Sequence, residues 1–166
     1  MLTLGISAMV STAAYAVYKV ARADVGADDL ANSTVRLVSD VQSVFGTTGG
    51  YAPVNAANIN AAGLVPPGWR YDGTNLVDNR GNTVAITAAA GSFSLVFSNL
   101  TSSDCAKAAS RMEGSATSIR VGTSADGAAG VISGGAVFKD ASGVVSGGNL
   151  ATGCGQATPK IAVQAR

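Results

Sequence analysis

The chain has 166 residues, of which 47% are apolar, 13% charged and 5% aromatic, with 11 basic and 10 acidic side chains for a formal net charge of +1. It is too apolar for a disordered chain, suits one domain, and has no run of one sign that would mark a nucleic-acid surface. With no histidine and Glu113 as its single glutamate, it excludes Ser-His-Asp and Cys-His catalysis, imidazole-ligated zinc or haem, and Glu-based acid/base pairs, while two cysteines alone do not complete a thiolate metal site.

Met1 to Tyr18 carry no charge, and the first charged residues are Lys19, Arg22 and Asp24. As helix, 18 residues reach about 27 Å, close to the hydrocarbon thickness of a bilayer. The small residues Gly5, Ser7, Ala8, Ser11, Ala13 and Ala14 in this stretch suit close approach of helices. A cleaved signal peptide is the alternative, because Ala14-Tyr15-Ala16 and Ala21-Arg22-Ala23 resemble small-residue cleavage sites, although basic residues follow the apolar stretch instead of preceding it. Met9, Tyr15 and Tyr18 read as core or lipid contacts, not as a cofactor stripe.

From Leu30 the pattern changes. Leu30, Thr34, Leu37, Val38, Val41, Val44 and Phe45 recur at three- and four-residue steps, with Asp28, Asp29, Asn32, Arg36, Asp40 and Gln42 between them, which predicts an amphipathic helix. No proline or turn cluster interrupts residues 2–45; Gly5 and Gly26 are weak points and Gly46 is a stop signal. The spacing therefore predicts one helix of about 65 Å, its second half packed on a globular domain and its first half seeking lipid or other subunits.

Thr47 to Ala62 read as a polar loop with short helical possibilities, and Gly63-Leu64-Val65-Pro66-Pro67-Gly68 as a turn. Strands are expected at Asn75 to Asp78, Thr83 to Thr87 and Ser92 to Phe97, with Asn79 to Asn82 as a hairpin turn. Ser102, Ser103 and Asp104 offer N-caps to a helix running to about Met112. Residues 118–166 alternate Gly-rich turns with short apolar runs at Ser118 to Val121, Gly130 to Ile132, Ala136 to Phe138, Val144 to Val145 and Lys160 to Val163. Val131-Ile132-Ser133-Gly134-Gly135 is echoed by Val144-Val145-Ser146-Gly147-Gly148, which reads as two related hairpins or loops.

Cys105 and Cys154 read either as one disulfide or as two unrelated buried thiols. The glycines around Cys154 give a flexible setting that favours the disulfide over a packed thiol. Closing a loop of that size is worth roughly 4 kcal/mol, and such a bond persists outside the reducing cytosol, in the periplasm, at the cell surface or beyond it. The Gly-rich loops contain no G-x-x-x-x-G-K-[ST] pattern and no glycine triplet between a strand and a helix, and neither S-x-x-K nor G-x-S-x-G occurs. Neither nucleotide binding nor catalysis is expected.

In its order of parts the chain resembles type IV pilins, and in detail the type IVb subgroup that includes the pilins of toxin-coregulated, bundle-forming and conjugative thin pili. The resemblance is carried by Leu4-Gly5-Ile6-Ser7-Ala8-Met9-Val10-Ser11 as the apolar helix start and by Gly63-Leu64-Val65-Pro66 with Asn79-Arg80-Gly81-Asn82 as loop and first hairpin. Phe93 to Phe97, followed by Leu100-Thr101-Ser102-Ser103-Asp104-Cys105, is similar to the family's strand, capped helix and first disulfide cysteine. Cys154 then stands as the second cysteine, ahead of the closing strand Lys160 to Gln164. The family's glutamate near the helix start has no counterpart at Gly5; the resemblance then implies either that the sequence begins roughly six residues inside the mature subunit or that Met1 is the processed N-terminus of a pilin lacking the glutamate.

The resemblance implies an α+β fold: a long N-terminal helix packed on a globular domain with an antiparallel sheet and one disulfide. Residues 1–46 form the helix, its front half in the membrane or filament core, and residues 47–166 the head. It implies that Leu2, Leu4, Ile6, Met9, Val10, Ala13, Ala14 and Val17 form the filament core, and that Leu30, Leu37, Val41, Val44 and Phe45 bind the helix to its own sheet. Residues 47–75 and 105–154 then form the exposed and subunit-contacting faces. The implied function is that of a major pilin, without catalysis, cofactor, metal or direct nucleic-acid partner. Its implied partners are identical subunits in a helical homopolymer, the inner membrane before assembly, the pilus assembly machinery, and a recipient- or host-cell surface. A minor pilin or secretion pseudopilin shares this architecture; a secreted or periplasmic binding module with a cleaved signal is the reading from another class.

Overall fold

The structure, a computed structural model, describes residues 25–47 and 50–166. Helix α1 occupies residues 25–45, the rear of the helix expected over 2–45; its uncharged front and the core residues assigned there lie outside the described residues. The three- and four-residue periodicity places Leu30, Thr34, Leu37, Val38 and Val41 on one buried face. Gln42 O accepts a hydrogen bond from Gly46 N at 3.0 Å, and the helix ends there.

Helix α2 (Ala56–Ala61) follows, capped by the side chain of Asn55. Nine strands come next among the described residues: β1 (Arg70–Tyr71), β2 (Leu76–Val77), β3 (Thr83–Ala89), β4 (Ser92–Ser98), then, after helix α3 (Ser102–Met112), β5 (Ser118–Gly122), β6 (Asp126–Ala128), β7 (Val131–Ser133) and β8 (Ala136–Lys139), and finally, after helix α4 (Gly147–Cys154), β9 (Lys160–Ala165). Seven of them form one sheet in the order β1-β2-β3-β4-β9-β5-β8, and β6 and β7 form a separate ribbon. All pairings between the strands are antiparallel. The last strand inserts at the centre, with Leu95 opposite Val163 on one side and Ile119 opposite Val163 on the other.

Strand alternation explains the layering. On β4, Phe93, Leu95 and Phe97 join Val84, Ile119, Val121, Ile161 and Val163 in the main core with α1 and α3. On the opposite face Val96 and Ala162 pack against Ala125 and Ile132 near the ribbon. The central strand is thus buried from both sides, which accounts for its near-continuous burial from Ser92 to Phe97. Trp69 meets Phe97 edge-on at 6.3 Å and Tyr51 tilts on Phe93 at 5.1 Å, extending the main core under the loop after α1.

The ribbon turns at Ala129 and Gly130, both at positive φ, 49° and 73°, as a two-residue hairpin turn whose twist matches its strands. Gly130 is pinned to the sheet: its carbonyl accepts from Ser92 Oγ (2.8 Å) and Gln164 Nε2 (2.9 Å), and Gln164 Oε1 accepts from Ser118 Oγ (3.0 Å). These buried polar groups are satisfied by one another, as burial requires.

Several expectations need correction. The glycine-rich segment around Cys154 is helix α4, started by Ser146, whose hydroxyl accepts from Asn149 N, and attached to β8 through Asn149 Nδ2 donating to Val137 O at 2.9 Å. The N-cap of α3 is Thr101, not Ser102, Ser103 or Asp104. Its hydroxyl accepts from Asp104 N at 3.1 Å and donates to Asp104 Oδ2 at 2.8 Å, a reciprocal arrangement that needs a side-chain acceptor three residues on. The two V-x-S-G-G phrases adopt different structures, a strand end at Ser133 and a helix start at Ser146, the helix packing on β8. Val145 makes an isolated bridge to Lys139 instead of a strand, and the short strands Arg70–Tyr71 and Asp126–Ala128 carried no readable alternation.

Candidate functional site

The residues with most to explain lie where α1 meets the head. Leu30, Leu37 and Val41 are each at most 3% exposed, and Phe45 packs partly buried against the same core. Val44 is 41% exposed, because the buried stripe is centred on the Leu30, Thr34, Val38 and Val41 rows and Val44 falls at its edge, one residue from the helix end. Thr34 is the polar member of the buried face; its hydroxyl donates back to Leu30 O at 2.7 Å, which satisfies it without a partner from the head.

At the other end of the described helix the attachment is polar. The turn between β2 and β3 wraps a buried carboxylate: Asp78 Oδ1 accepts from Arg80 N and Asn82 N, each at 2.8 Å, and Asp78 Oδ2 accepts from Asn82 Nδ2 at 2.6 Å. That internal scaffold presents the two residues at the tip to α1. Asn79 Nδ2 donates to Asp29 Oδ2 at 2.6 Å. Arg80 passes over Gly26 and donates through Nη1 to Asp104 Oδ1 at 2.9 Å, in the first turn of α3. From α3, Arg111 Nη1 forms an ion pair with Asp28 Oδ1 at 2.6 Å. The Asp104 side chain is 3% exposed and that of Arg80 35%, so this pair is partly shielded from water, whereas Arg111 and Asp28 are half-exposed and worth less.

Gly26 leaves room for the present path of the Arg80 side chain. A β-carbon there would lie 2.8 Å from Arg80 Cζ and closer still to Nη1, so the guanidinium occupies the space a side chain would need. In the sequence Gly26 is a weak point of the helix and Asn79 to Asn82 a turn; their juxtaposition is tertiary. The one signal for it was the Asp-Asn-Arg-Gly-Asn string itself, which holds more charge and hydrogen-bonding capacity than a turn needs.

Cys105 and Cys154 are joined, with Cα atoms 5.5 Å apart, and the bond ties the first turn of α3 to the end of α4. Both are buried, at 0% and 2% exposure. Lys139 Nζ donates to Glu113 O (2.7 Å) and Ala116 O (2.8 Å), closing the C-terminal end of α3. Beyond it the Asp140 carboxyl organises the loop to Val144 and is held below the ordinary carboxylate value by the Ser142 hydroxyl first and by Val144 N next. The Asp72 carboxyl is lowered in the same way by the backbone N–H groups of Asn75 and Thr74. Both loops are solvent-facing and both shifts come from local turn geometry.

Among the described residues no cluster of three or more His, Cys, Asp or Glu side chains is arranged to hold a metal, and no helix is long and apolar enough to cross a membrane. Leu2, Leu4, Ile6, Met9, Val10, Ala13, Ala14 and Val17 lie outside the described residues. Large apolar side chains exposed among the described residues are Val25, Val35 and Val44 on α1, Val131 at the ribbon turn, and Val144 and Val145 before α4.

No family model matches the sequence, and no curated protein is similar to it in sequence. Among solved structures the chain is similar to the crystal structure of TcpA, a type IV pilin from Vibrio cholerae El Tor biotype, with a TM-score of 0.52 and 19% identity over 84% of this chain and 98% of that one. The fold, an N-terminal helix laid on an antiparallel sheet domain with a disulfide toward the C-terminal end, is that of a type IV pilin.

Proposed function

We propose that a chain with this fold works as a filament subunit, the major pilin of a type IVb pilus. The likeness to TcpA over nearly the whole of that pilin carries the reading, and the uncharged stretch from Met1 to Tyr18 supports it from the sequence. In this reading residues 1–46 are the polymerising helix and residues 47–166 the head. Leu2, Leu4, Ile6, Met9, Val10, Ala13, Ala14 and Val17 lie in the inner membrane before assembly and in the filament core after it. Apolar surface leaves lipid for apolar surface of neighbouring helices, so insertion and extraction are closely balanced and small residues let the helices approach.

Leu30, Leu37, Val41 and Phe45, with Val44 at the margin, fasten the helix to the head, which therefore moves with it into the polymer. The faces formed by residues 47–75 and 105–154 would meet neighbouring subunits and, at the cell surface, a recipient or host cell during conjugation, aggregation or adhesion. The chain serves by its surfaces, without catalysis or cofactor.

The test is electron microscopy of filaments sheared from cells expressing the complete gene, with the chain identified in them by mass spectrometry. Abundant thin filaments made of it support the reading. Val10→Asp or Val17→Asp places a charge in the proposed core, where an unpaired charge costs several kcal/mol, and filaments should disappear while the head still folds. Normal filaments from either variant would remove those residues from the core.

A further inference from the structure

We propose that Arg80 is a latch and Gly26 its socket, together holding residues 26–29 of α1 on the head as a unit that opens separately from the described helix beyond it. The device depends on contacts within one chain and stands whether or not the chain polymerises.

Attachment along α1 is graded. Around residues 26–31 the buried apolar side chains are Ala27, Leu30 and Ala31, and the remaining contacts are polar: Asn79 to Asp29, Arg111 to Asp28, and Arg80 across Gly26 to Asp104. Leu30 and Ala31 are buried in the same main core as Leu37, Val38 and Val41 further along, so the polar share of the attachment is concentrated at residues 26–29, where Ala27 is the buried apolar side chain. Alanine-sized burial contributes far less than leucine-sized burial, and a glycine inside a helix weakens it by about 1 kcal/mol relative to alanine. Taken alone, the 26–29 stretch is therefore the weakly held part of the described helix, and regions held by few apolar contacts open locally at lower free energy than the core.

Arg80 compensates for that weakness only if Gly26 lacks a side chain. Its guanidinium lies in the space of the missing β-carbon and ends on Asp104, a carboxylate whose other hydrogen bond comes from Thr101. Because Arg80 N is also bonded to the buried Asp78, the base of the latch is fixed in the β2–β3 turn and its tip is the movable part. The arrangement bridges three elements, the β2–β3 turn, α1 and α3, and fixes the direction in which α1 enters the head.

The experiment is amide hydrogen exchange on the full chain in detergent micelles. The amides of Leu30, Ala31, Asn32 and Ser33 bond to carbonyls of residues 26–29 and report the latched turn; those of Leu37 to Val41 and of β4 report the remainder. Arg80→Gln combined with Asp104→Asn removes the charge pair without leaving a buried carboxylate unpaired, and is expected to speed exchange at the first set about tenfold, the loss of one charge-assisted bond, with the second set unchanged. Gly26→Ala supplies the sharper outcome. With Arg80 present it should speed exchange, because the new methyl displaces the guanidinium; in the Arg80→Gln/Asp104→Asn chain it should slow exchange, because alanine is the better helix former. Slowing in both backgrounds, or a rise shared equally by α1 and the sheet, overturns the latch.

Discussion

Replacing both cysteines, Cys105→Ala with Cys154→Ala, isolates what the covalent tie does. The bond closes a loop with a sequence separation of 49, worth about 4 kcal/mol in unfolded-chain entropy. Its removal also weakens the hold on α4, a helix of only eight residues with glycine at 147, 148 and 153, a residue of low helix propensity. Leu150 packs only partly against the core, and the remaining anchors are the close approach of Gly153 to Val121 and the Asn149 bond to Val137, so the bond to Cys105 is the covalent one among three. The expected loss is about 4 kcal/mol, a fall in Tm of roughly 10–15 °C for a chain of this size. Urea and thermal unfolding of the full chain in non-ionic detergent, followed by circular dichroism without reductant, measure it, and amide exchange reports α4 separately. A loss under about 1 kcal/mol, or α4 amides as protected as before, would refute the reasoning, since it would mean that packing and not the disulfide holds the C-terminal third.

Other perturbations follow from the same structure. Phe97→Ala removes a fully buried ring at the crossing of β4 with the Trp69 edge contact and should cost about 3–5 kcal/mol by urea unfolding; a loss below about 1 kcal/mol would mean the ring is not central to the core. Asp78→Ala strips the β2–β3 turn of three hydrogen bonds around a buried carboxylate and should cost about 3 kcal/mol, together with faster exchange at Leu30 to Ser33; unchanged exchange there would separate the turn from the helix. For Asp140 the folded carboxyl is depressed below its ordinary 3.8, so its contribution to stability is complete above that value and is lost as pH falls through the lower folded one. Carboxyl carbon titration by NMR should place its midpoint below that of free aspartate, and Ser142→Ala should raise it; a midpoint at or above the ordinary value contradicts the loop geometry.

Local chemistry made part of this protein readable. Leu30, Leu37 and Val41 announce a helix face because helical periodicity is written in neighbours three and four apart, and the alternation of β3 and the bulky run of β4 mark strands for the corresponding reason. The paired cysteines were likewise legible, since a chain has few uses for two of them in a glycine-rich setting. Where a reading failed, the deciding partner was distant. Helix α4 looks like loop because its glycines argue against helix, and it forms because Cys154 is tied to Cys105 and Asn149 is bonded to Val137. Asn79 and Arg80 look like turn residues because Asp29, Gly26 and Asp104 lie far from them in sequence.

The sequence by itself determined the helix face, the principal strands of the sheet, the cap-bearing segment before Cys105 and the exclusion of histidine-dependent chemistry, because each depends on composition or on spacing within a few residues. Only the tertiary structure decided that β9 completes the middle of the sheet, that a two-stranded ribbon covers its second face, and that a turn built on a buried carboxylate meets the helix at a glycine. Those features join groups dozens of residues apart, and burial, which sets the value of each polar contact, exists only once the chain has folded around it.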